Sequence, residues 1–444
     1  MQEGDSLVPG FMIVHGNRLE SLRHLVVSWL ARNPLAPLEN EVMLVQSNGI
    51  AQWLKQALAA DVADDESGGC GIAAAIDVQL PARFMWQAYR TVLGADSVPE
   101  TSPLDKQPLI WRLMRLLPEL VGAPAFEPLH RFLRDDQDCR KRYQLAERLA
   151  DLFDQYQVYR ADWLADWAEG RDQLRQARDG IRPLDAADLW QPALWRALLA
   201  DVGEAHLSDS RAGIHPRFVS ALEQARQRPQ GLPRRVVVFG ISSLPAQYVE
   251  ALAAMGRHCQ VLLCVLNPCQ HHWGDIIADQ DLLRHQYRRQ ARRPGAPSQL
   301  DEHTLHQHAH PLLAAWGKQG RDYINLLDSH DEQAAYSGAF EPVNGGRIDL
   351  FDEPDTRWML GQLQDDIRDL RPLHETREHW PAVDASLDHS VRFQIAHSAQ
   401  REVEILHDQL LDAFDRDHID VNGVRVAEGD DDINMNSNTS AVGV

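Results

Sequence analysis

Hydrophobic positions along the chain fall into two rhythms. Short unbroken apolar runs occur at FMIVHG (11–16), at residues 42–45, at residues 236–239 and in QVLLCVLNP (260–268), each too short for a helix. Each of the first three leads into turn residues and then a helical period: Gly16 and Asn17; Ser47, Asn48 and Gly49; and the GISSLP segment at 240–245. Strands that are apolar throughout and alternate with helices predict a parallel sheet covered on both faces, an α/β fold. Between the second and third of these units, residues 84–225 hold no comparable strand and many 3.6-residue periods. In RYQLAERLADLFDQYQVYR, Leu145, Leu149, Leu152, Phe153 and Tyr156 share one face and read as core, with Asp151, Asp154 and Gln155 as a polar stripe opposite. The pattern predicts an all-helical insertion in the α/β core.

After loop-rich residues 294–357, VRFQIAHS (391–398) reads as a new strand and QREVEILHDQLLDAF (400–414) as an amphipathic helix. They predict an α/β domain (1–390) followed by the start of an incomplete second one (391–420). The remainder, 421–444, ends in a stretch with Asp430, Asp431, Asp432 and several Asn, and is expected to be disordered because it has too little apolar surface to offset its ordering entropy.

Composition narrows the class. The 444 residues are 44% hydrophobic and 25% charged, inside the globular range. No window approaches the roughly 18 apolar residues of a membrane span, and the start lacks the basic and apolar regions of a secretory signal, so a cytoplasmic protein is expected. Lys plus Arg number 44 against 65 Asp plus Glu, a net charge of −21. That argues against nonspecific coating of nucleic acid, which basic side chains drive, but leaves room for a local lining. The stretch Arg284, Arg288, Arg289, Arg292 and Arg293 reads either as a solvated helix face or as a phosphate contact. Five scattered cysteines make no disulfide framework. Cys259, Cys264 and Cys269, with His271 and His272, fit a buried strand and its exit loop better than a zinc knuckle. His303, His306, His308 and His310 read as a solvated loop rather than a ligand set.

A parallel sheet invites the question of phosphate at a strand-to-helix turn. The first turn offers His15, Gly16, Asn17 and Arg18, not a glycine loop with Lys and Ser or Thr. Around Gly317 and Lys318, Leu312 stands where the first glycine belongs and Gln319 where the hydroxyl belongs. The strand at 236–239 runs into Gly240 and Ile241 instead of an acidic residue for magnesium. ATP hydrolysis by this chain is not expected. No G-x-S-x-G, H-E-x-x-H or dinucleotide fingerprint is present. A translocase or exonuclease, and a purely structural interaction module, are the competing function classes; the first lacks its phosphate-gripping Lys and clustered metal carboxylates.

The strings GNRLESL, MLVQSNGIAQWL, DLFDQYQVYRADWL, GLPRRVVVFGISSLP, LNPCQHHWGDI, PLLAAWGKQGRDY and HSAQREVEILHDQLL, in this order across about residues 11–414, resemble the RecC family, the gamma subunit of bacterial exodeoxyribonuclease V. The resemblance implies a superfamily 1 helicase-like (P-loop NTPase-like) fold with a degenerate ATP site. It implies a non-catalytic subunit without a cofactor of its own, in a heterotrimer with RecB-like and RecD-like partners that use ATP and Mg, in double-strand break repair. It also implies a tunnel where single-stranded DNA from an unwound end is searched for the Chi sequence. The tunnel positions fall on Gln46, Asn48, Gln52, Leu80, Trp86, Asp151, Leu152, Asp154, Gln155, Arg160 and Arg211. Asn48 departs from the small hydroxyl residue usual there. Amides, carboxylates and guanidinium can read base edges, and a Trp can stack on a base. Leu80 and Trp86 also fit core roles, and Gln46 and Gln52 fit backbone satisfaction. RecC chains are more than twice as long, so a truncated or frameshifted product with a foreign tail from about Val421 is expected, with a stand-alone subunit as the alternative.

Overall fold

The computed structural model describes residues 7–61, 68–176, 180–203, 211–273 and 310–416. In chain order the strands are β1 (Gly10–Gly16), β2 (Glu41–Val45), β3 (Ile76–Gln79), β4 (Gln173–Gln176), β5 (Gly180–Pro183), β6 (Arg235–Phe239) and β7 (Gln260–Leu266). Helices α1 (Leu19–Arg32) and α2 (Asn48–Ala59) follow β1 and β2. After β3 come α3 (Pro81–Leu93), α4 (Lys106–Leu120), α5 (Glu127–Leu133), α6 (Arg140–Tyr159) and α7 (Ala161–Ala168); α8 (Trp190–Val202) and α9 (Arg211–Gln224) lead to β6. Helix α10 (Ala246–Met255) joins β6 to β7. Next are α11 (Pro311–Trp316), α12 (Lys318–Asp328), α13 (Gln333–Tyr336), α14 (Glu341–Asn344), α15 (Met359–Arg368), α16 (Leu373–His379) and α17 (Ala399–Arg416).

Five strands form one parallel sheet in the order β1-β7-β6-β2-β3. Successive side chains alternate between its faces, so each apolar run supplies two cores. Ile13, Val42, Leu44, Val236, Val238, Val261 and Leu263 pack with α3, α9, α10 and α12. Met12, Val14, Met43, Val45, Val237, Phe239, Leu262 and Cys264 pack with α1, α2 and the Tyr336 and Phe340 rings. This double burial is why β1, β2, β6 and β7 carry no polar alternation. Cys264 lies inside β7 with Cys259 just before and Cys269 just after, and all three are buried. Burial pushes the Cys259 and Cys269 thiols up to about 12, so they behave as small apolar groups rather than ready thiolates.

The helical insertion has its own core, built from Leu109, Leu113, Leu117, Leu149, Phe153, Trp167, Trp195 and Leu198. On α6, Leu149 and Phe153 are buried, whereas Leu145, Leu152 and Tyr156 are half-buried; Ala146, Ala150 and Gln157 complete the inward face. The insertion is not wholly helical: β4 and β5 form a short antiparallel hairpin. The hairpin is anchored by Asp166, a fully buried carboxylate that accepts from Arg175 Nε at 2.7 Å, Gln173 Nε2 at 2.9 Å and Arg171 Nε at 3.0 Å.

Chain contacts divide the protein into two units, residues 1–356 with 361–381, and residues 357–360 with 382–444. The second unit differs from the sequence reading. Residues 391–398 form no strand; Phe393 and Ile395 are 91% and 95% exposed, and among the described residues no strand pairs with them. The helix expected at 400–414 is present as α17, with Val403, Leu406, Leu410, Leu411 and Phe414 exposed. The tail from Val421, the Arg284 to Arg293 stretch and His303, His306 and His308 lie outside the described residues.

Candidate nucleic-acid interface

All five parallel strands end on the same edge of the sheet, the edge at which α/β proteins bind ligands. At β2 the chain leaves the core after Val45. Gln46 and Asn48 are exposed, Ser47 caps α2 by accepting from Ile50 N, and Gln52 is exposed one turn into the helix. Leu80, 54% exposed, is the N-cap residue of α3 at the end of β3. The structure thus brings Gln46, Asn48, Gln52 and Leu80 to the ends of two paired strands. Trp86 is on α3 and half-buried; its indole Nε1 donates to Glu100 O at 2.9 Å and Pro99 O at 3.2 Å, which fixes the ring against its own loop.

The second group lies on α6. Asp151 is ion-paired to Lys106 Nζ at 2.7 Å and accepts from Gln155 Nε2 at 3.2 Å. The Lys106 ammonium holds the Asp151 carboxyl below the usual carboxylate range. Asp154 and Leu152 are half-buried and Gln155 is exposed. Arg160, just past the helix, donates to Asp162 and to Arg175 O and stacks over Trp163 with its guanidinium carbon 3.8 Å from the ring centroid. It is therefore tied to the insertion. Arg211 opens α9, and its side chain lies outside the described residues. Gln46, Trp86 and Asp154 are none of them sealed in an interior; the first two belong to the sheet edge and α3, the third to the insertion.

The first strand-to-helix turn holds a different arrangement. The N-terminal end of α1 has Arg18 as its N-cap residue without a side-chain cap, and residues 349–353 run across it. Leu350 N donates to His15 O at 2.7 Å and Asn17 N to Leu350 O at 3.2 Å. Asn17 and Asp352 exchange two hydrogen bonds, Asn17 Nδ2 to Asp352 O and Asp352 N to Asn17 Oδ1, both 2.8 Å. The Asp352 carboxylate accepts from Ser21 Oγ, and Arg18 donates to Glu353 O at 3.0 Å. An internal carboxylate thus sits in the first turn of α1, where the macrodipole favours an anion. Gly16 suits this close approach: a Cβ there would stand 3.0 Å from Leu350 O and from the Leu22 side chain, a tight contact.

Sequence reasoning overlooked a third feature of the same edge. Tyr159, at the end of α6, Trp316, at the end of α11, and Tyr323, on α12, line one cavity with the loop after β6. All three stand inside strings already singled out, Tyr159 one residue before Arg160, Trp316 before Gly317 and Tyr323 at the end of PLLAAWGKQGRDY; what was not legible is that they meet.

Fold and edge together define an α/β protein with a helical insertion and a closed first turn. The chain matches the family described as RecC, N-terminal domain, over residues 11–370. It is 38% identical over 430 residues to the RecBCD enzyme subunit RecC of Escherichia coli (strain K12), covering 91% of this chain and 35% of that protein. Against the RecBCD enzyme subunit RecC of Haemophilus influenzae it is 34% identical over 439 residues, 92% of this chain and 37% of that one. The RecBCD enzyme subunit RecC of Mycolicibacterium smegmatis is 28% identical over 415 residues, with 90% and 31% covered. The chain belongs to the RecC N-terminal domain family, and it spans about a third of the length of these relatives. Among the described residues no helix is long and apolar enough to cross a membrane.

Proposed function

We propose that this chain is a DNA-holding, non-catalytic part of a RecBCD-type helicase and exonuclease acting in recombinational repair of double-strand breaks in the cytoplasm. RecB-like and RecD-like subunits are its partners and supply the ATP and Mg chemistry; this chain contributes a helicase-like fold whose nucleotide site has degenerated. The observation that carries the reading is the contrast between two strand ends of one sheet. At β1, the Asp352 carboxylate on Ser21 and the backbone of 349–353 across the turn stand at the helix N-terminus where a nucleotide phosphate would sit, which supports a chain that holds no nucleotide there. At β2 and β3, the polar and apolar side chains of Gln46, Asn48, Gln52 and Leu80 remain exposed.

In this reading an unpaired strand passes the sheet edge and the polar side of α6. Gln46, Asn48 and Gln52 offer amide donors and acceptors to base edges, and Asp151, Asp154 and Gln155 add carboxylate acceptors for exocyclic amines. Leu80, Trp86 and Leu152 supply apolar wall, and Arg160 and Arg211 contact the backbone. Chi recognition is the sum of these contacts.

The test replaces Asp151, Asp154 and Gln155 together with Ala. The Lys106–Asp151 pair is solvent-exposed on both sides, so its loss is expected to leave the fold intact. Binding of the folded variant to a panel of single-stranded oligonucleotides is expected to lose its sequence preference. Preference retained, with only assembly onto partner subunits lost, would return the chain to a structural interaction module.

A further inference from the structure

Helix α7 grips the hairpin of β4 and β5 with one face. Trp163, Asp166 and Trp167 stand three and four residues apart, so they fall on the same side of the helix. Each holds β4. Trp163 Nε1 donates to Arg175 O and Trp167 Nε1 to Gln173 O, both at 3.0 Å, while the Asp166 carboxylate takes the Gln173 and Arg175 side chains. Arg175 meets that carboxylate with both arms of its fork, Nε to Oδ2 and Nη2 to Oδ1, each at 2.7 Å. With its side chain fixed in this way, Arg175 turns its carbonyl oxygen to the junction of α6 and α7, where it accepts from Arg160 Nη2 as well as from Trp163. Arg160 is held on two further sides, bidentate on Asp162 at 3.0 and 2.8 Å and stacked over the Trp163 ring. Its Nη1 donates to none of the described residues, and 31% of its side chain stays exposed. A buried ion pair adds little stability over well-packed apolar residues; what a bidentate pair adds is one fixed geometry. The geometry fixed here is that of the carbonyl against which Arg160 rests.

We propose that Asp166 is a positioning residue for DNA contact: through Arg175 it sets the carbonyl that, with Asp162 and Trp163, aims the Arg160 guanidinium at the phosphate backbone. The inference rests on the strand-holding reading above, in which Arg160 meets the backbone of the strand, and it concerns a residue that is itself fully buried and touches no strand. The sign of the effect separates positioning from charge. Removing a carboxylate from a protein that binds a polyanion tightens binding by electrostatics alone, whereas releasing Arg160 weakens it.

The experiment measures binding of a fluorescein-labelled oligothymidylate to the 444-residue chain over a range of salt concentrations, at a temperature where circular dichroism shows every variant folded. Arg160→Ala is expected to weaken binding roughly 10-fold, the lower end for a hydrogen bond to a charged group. The slope of log affinity against log salt should become shallower by roughly 0.7, one phosphate on a single strand. Asp166→Asn is expected to weaken binding roughly 3- to 10-fold with a similarly shallower slope, but to change it less than about 2-fold when Arg160 is already Ala, since the two residues act through one contact. Arg175→Lys leaves the net charge and the backbone carbonyl in place and gives up the fork, so it should weaken binding in the same Arg160-dependent way even if Asp166→Asn fails to fold. A merely structural carboxylate would lower affinity equally with and without Arg160; that result, or unchanged or tighter binding by both Asp166→Asn and Arg175→Lys, overturns the proposal and leaves the strand-holding reading standing. Unchanged binding by Arg160→Ala also overturns it, and a wild-type chain that binds no single strand brings down both.

Discussion

Arg235, the first residue of β6, is fully buried, and its replacement is the sharpest test of how the sheet is held at its amino ends. Its guanidinium donates to Glu41 Oε1 at 2.7 Å, to Gln260 Oε1 at 2.7 Å and to Asn33 O at 2.5 Å, tying β6 to β2, β7 and the end of α1. Trp29 Nε1 shares the Gln260 oxygen at 3.0 Å. Glu41 is mostly buried as well, and its Oε2 has no hydrogen-bond partner. Arg235→Met keeps length and apolar stem but leaves the Glu41 carboxylate facing an uncharged neighbour. Breaking a buried pair in this way costs about 3–5 kcal/mol, a large share of the roughly 5–15 kcal/mol that holds a typical domain.

The pH dependence has a definite sign. Burial raises the Glu41 carboxyl above its usual value, and the Arg235 charge opposes that rise. A carboxyl whose folded pKa lies above its unfolded one favours the fold most when protonated, and loses that contribution as pH climbs from the unfolded value, about 4.3, through the folded one. Removing Arg235 lifts the folded value further. The deficit of Arg235→Met is therefore expected to be larger at pH 8 than at pH 5, and Glu41→Gln in the same chain should recover most of it. Urea unfolding at the two pH values measures this. A loss below about 1 kcal/mol at pH 8, or no recovery in the double variant, would refute the reasoning, since a buried unpaired charge cannot cost so little.

Two further outcomes follow from other ion contacts. Asp352→Ala removes the carboxylate from the first turn of α1 and its bond from Ser21; a loss of about 0.5–1.5 kcal/mol in thermal or urea unfolding is expected, the usual net worth of one hydrogen bond. An unchanged midpoint would mean that 349–353 merely lies over the turn. At Asp166, the hydrogen bonds from Arg175, Gln173 and Arg171 hold the carboxyl far below the usual range. Its stabilising contribution is complete above the unfolded carboxylate value and disappears as pH falls toward the depressed folded one, so Asp166→Asn is expected to lower stability at pH 7 and to flatten the acid limb of the unfolding profile below pH 4. Parallel acid limbs in variant and wild type would contradict that.

Much of the α/β core was legible because double burial writes itself into composition: 236–239 and 261–266 have no polar residue inside the run, and both belong to central strands flanked on either side. The edge strand β3 escaped notice for the complementary reason. Ile76–Gln79 is half-buried throughout and carries Asp77 and Gln79, so its sequence resembles a loop. VRFQIAHS erred the other way, since alternation alone does not make a strand without a partner to pair with. In the candidate interface, the polar residues of α6 were visible from helical spacing, but the ion pair of Asp151 with Lys106, 45 residues away, was not.

The amino-acid order by itself determined which segments are buried on two faces, that a long insertion is mainly helical, and that no phosphate-gripping loop follows the first strand, because periodicity and motif chemistry are local properties read within a few turns of chain. Only the tertiary structure decided what occupies that turn and what meets at the sheet edge. Asn17 and Asp352 are 335 residues apart in sequence, and Tyr159 and Tyr323 come from different elements. Such juxtapositions arise when helices and crossovers pack to bury their apolar faces, a global condition that no single window of sequence contains.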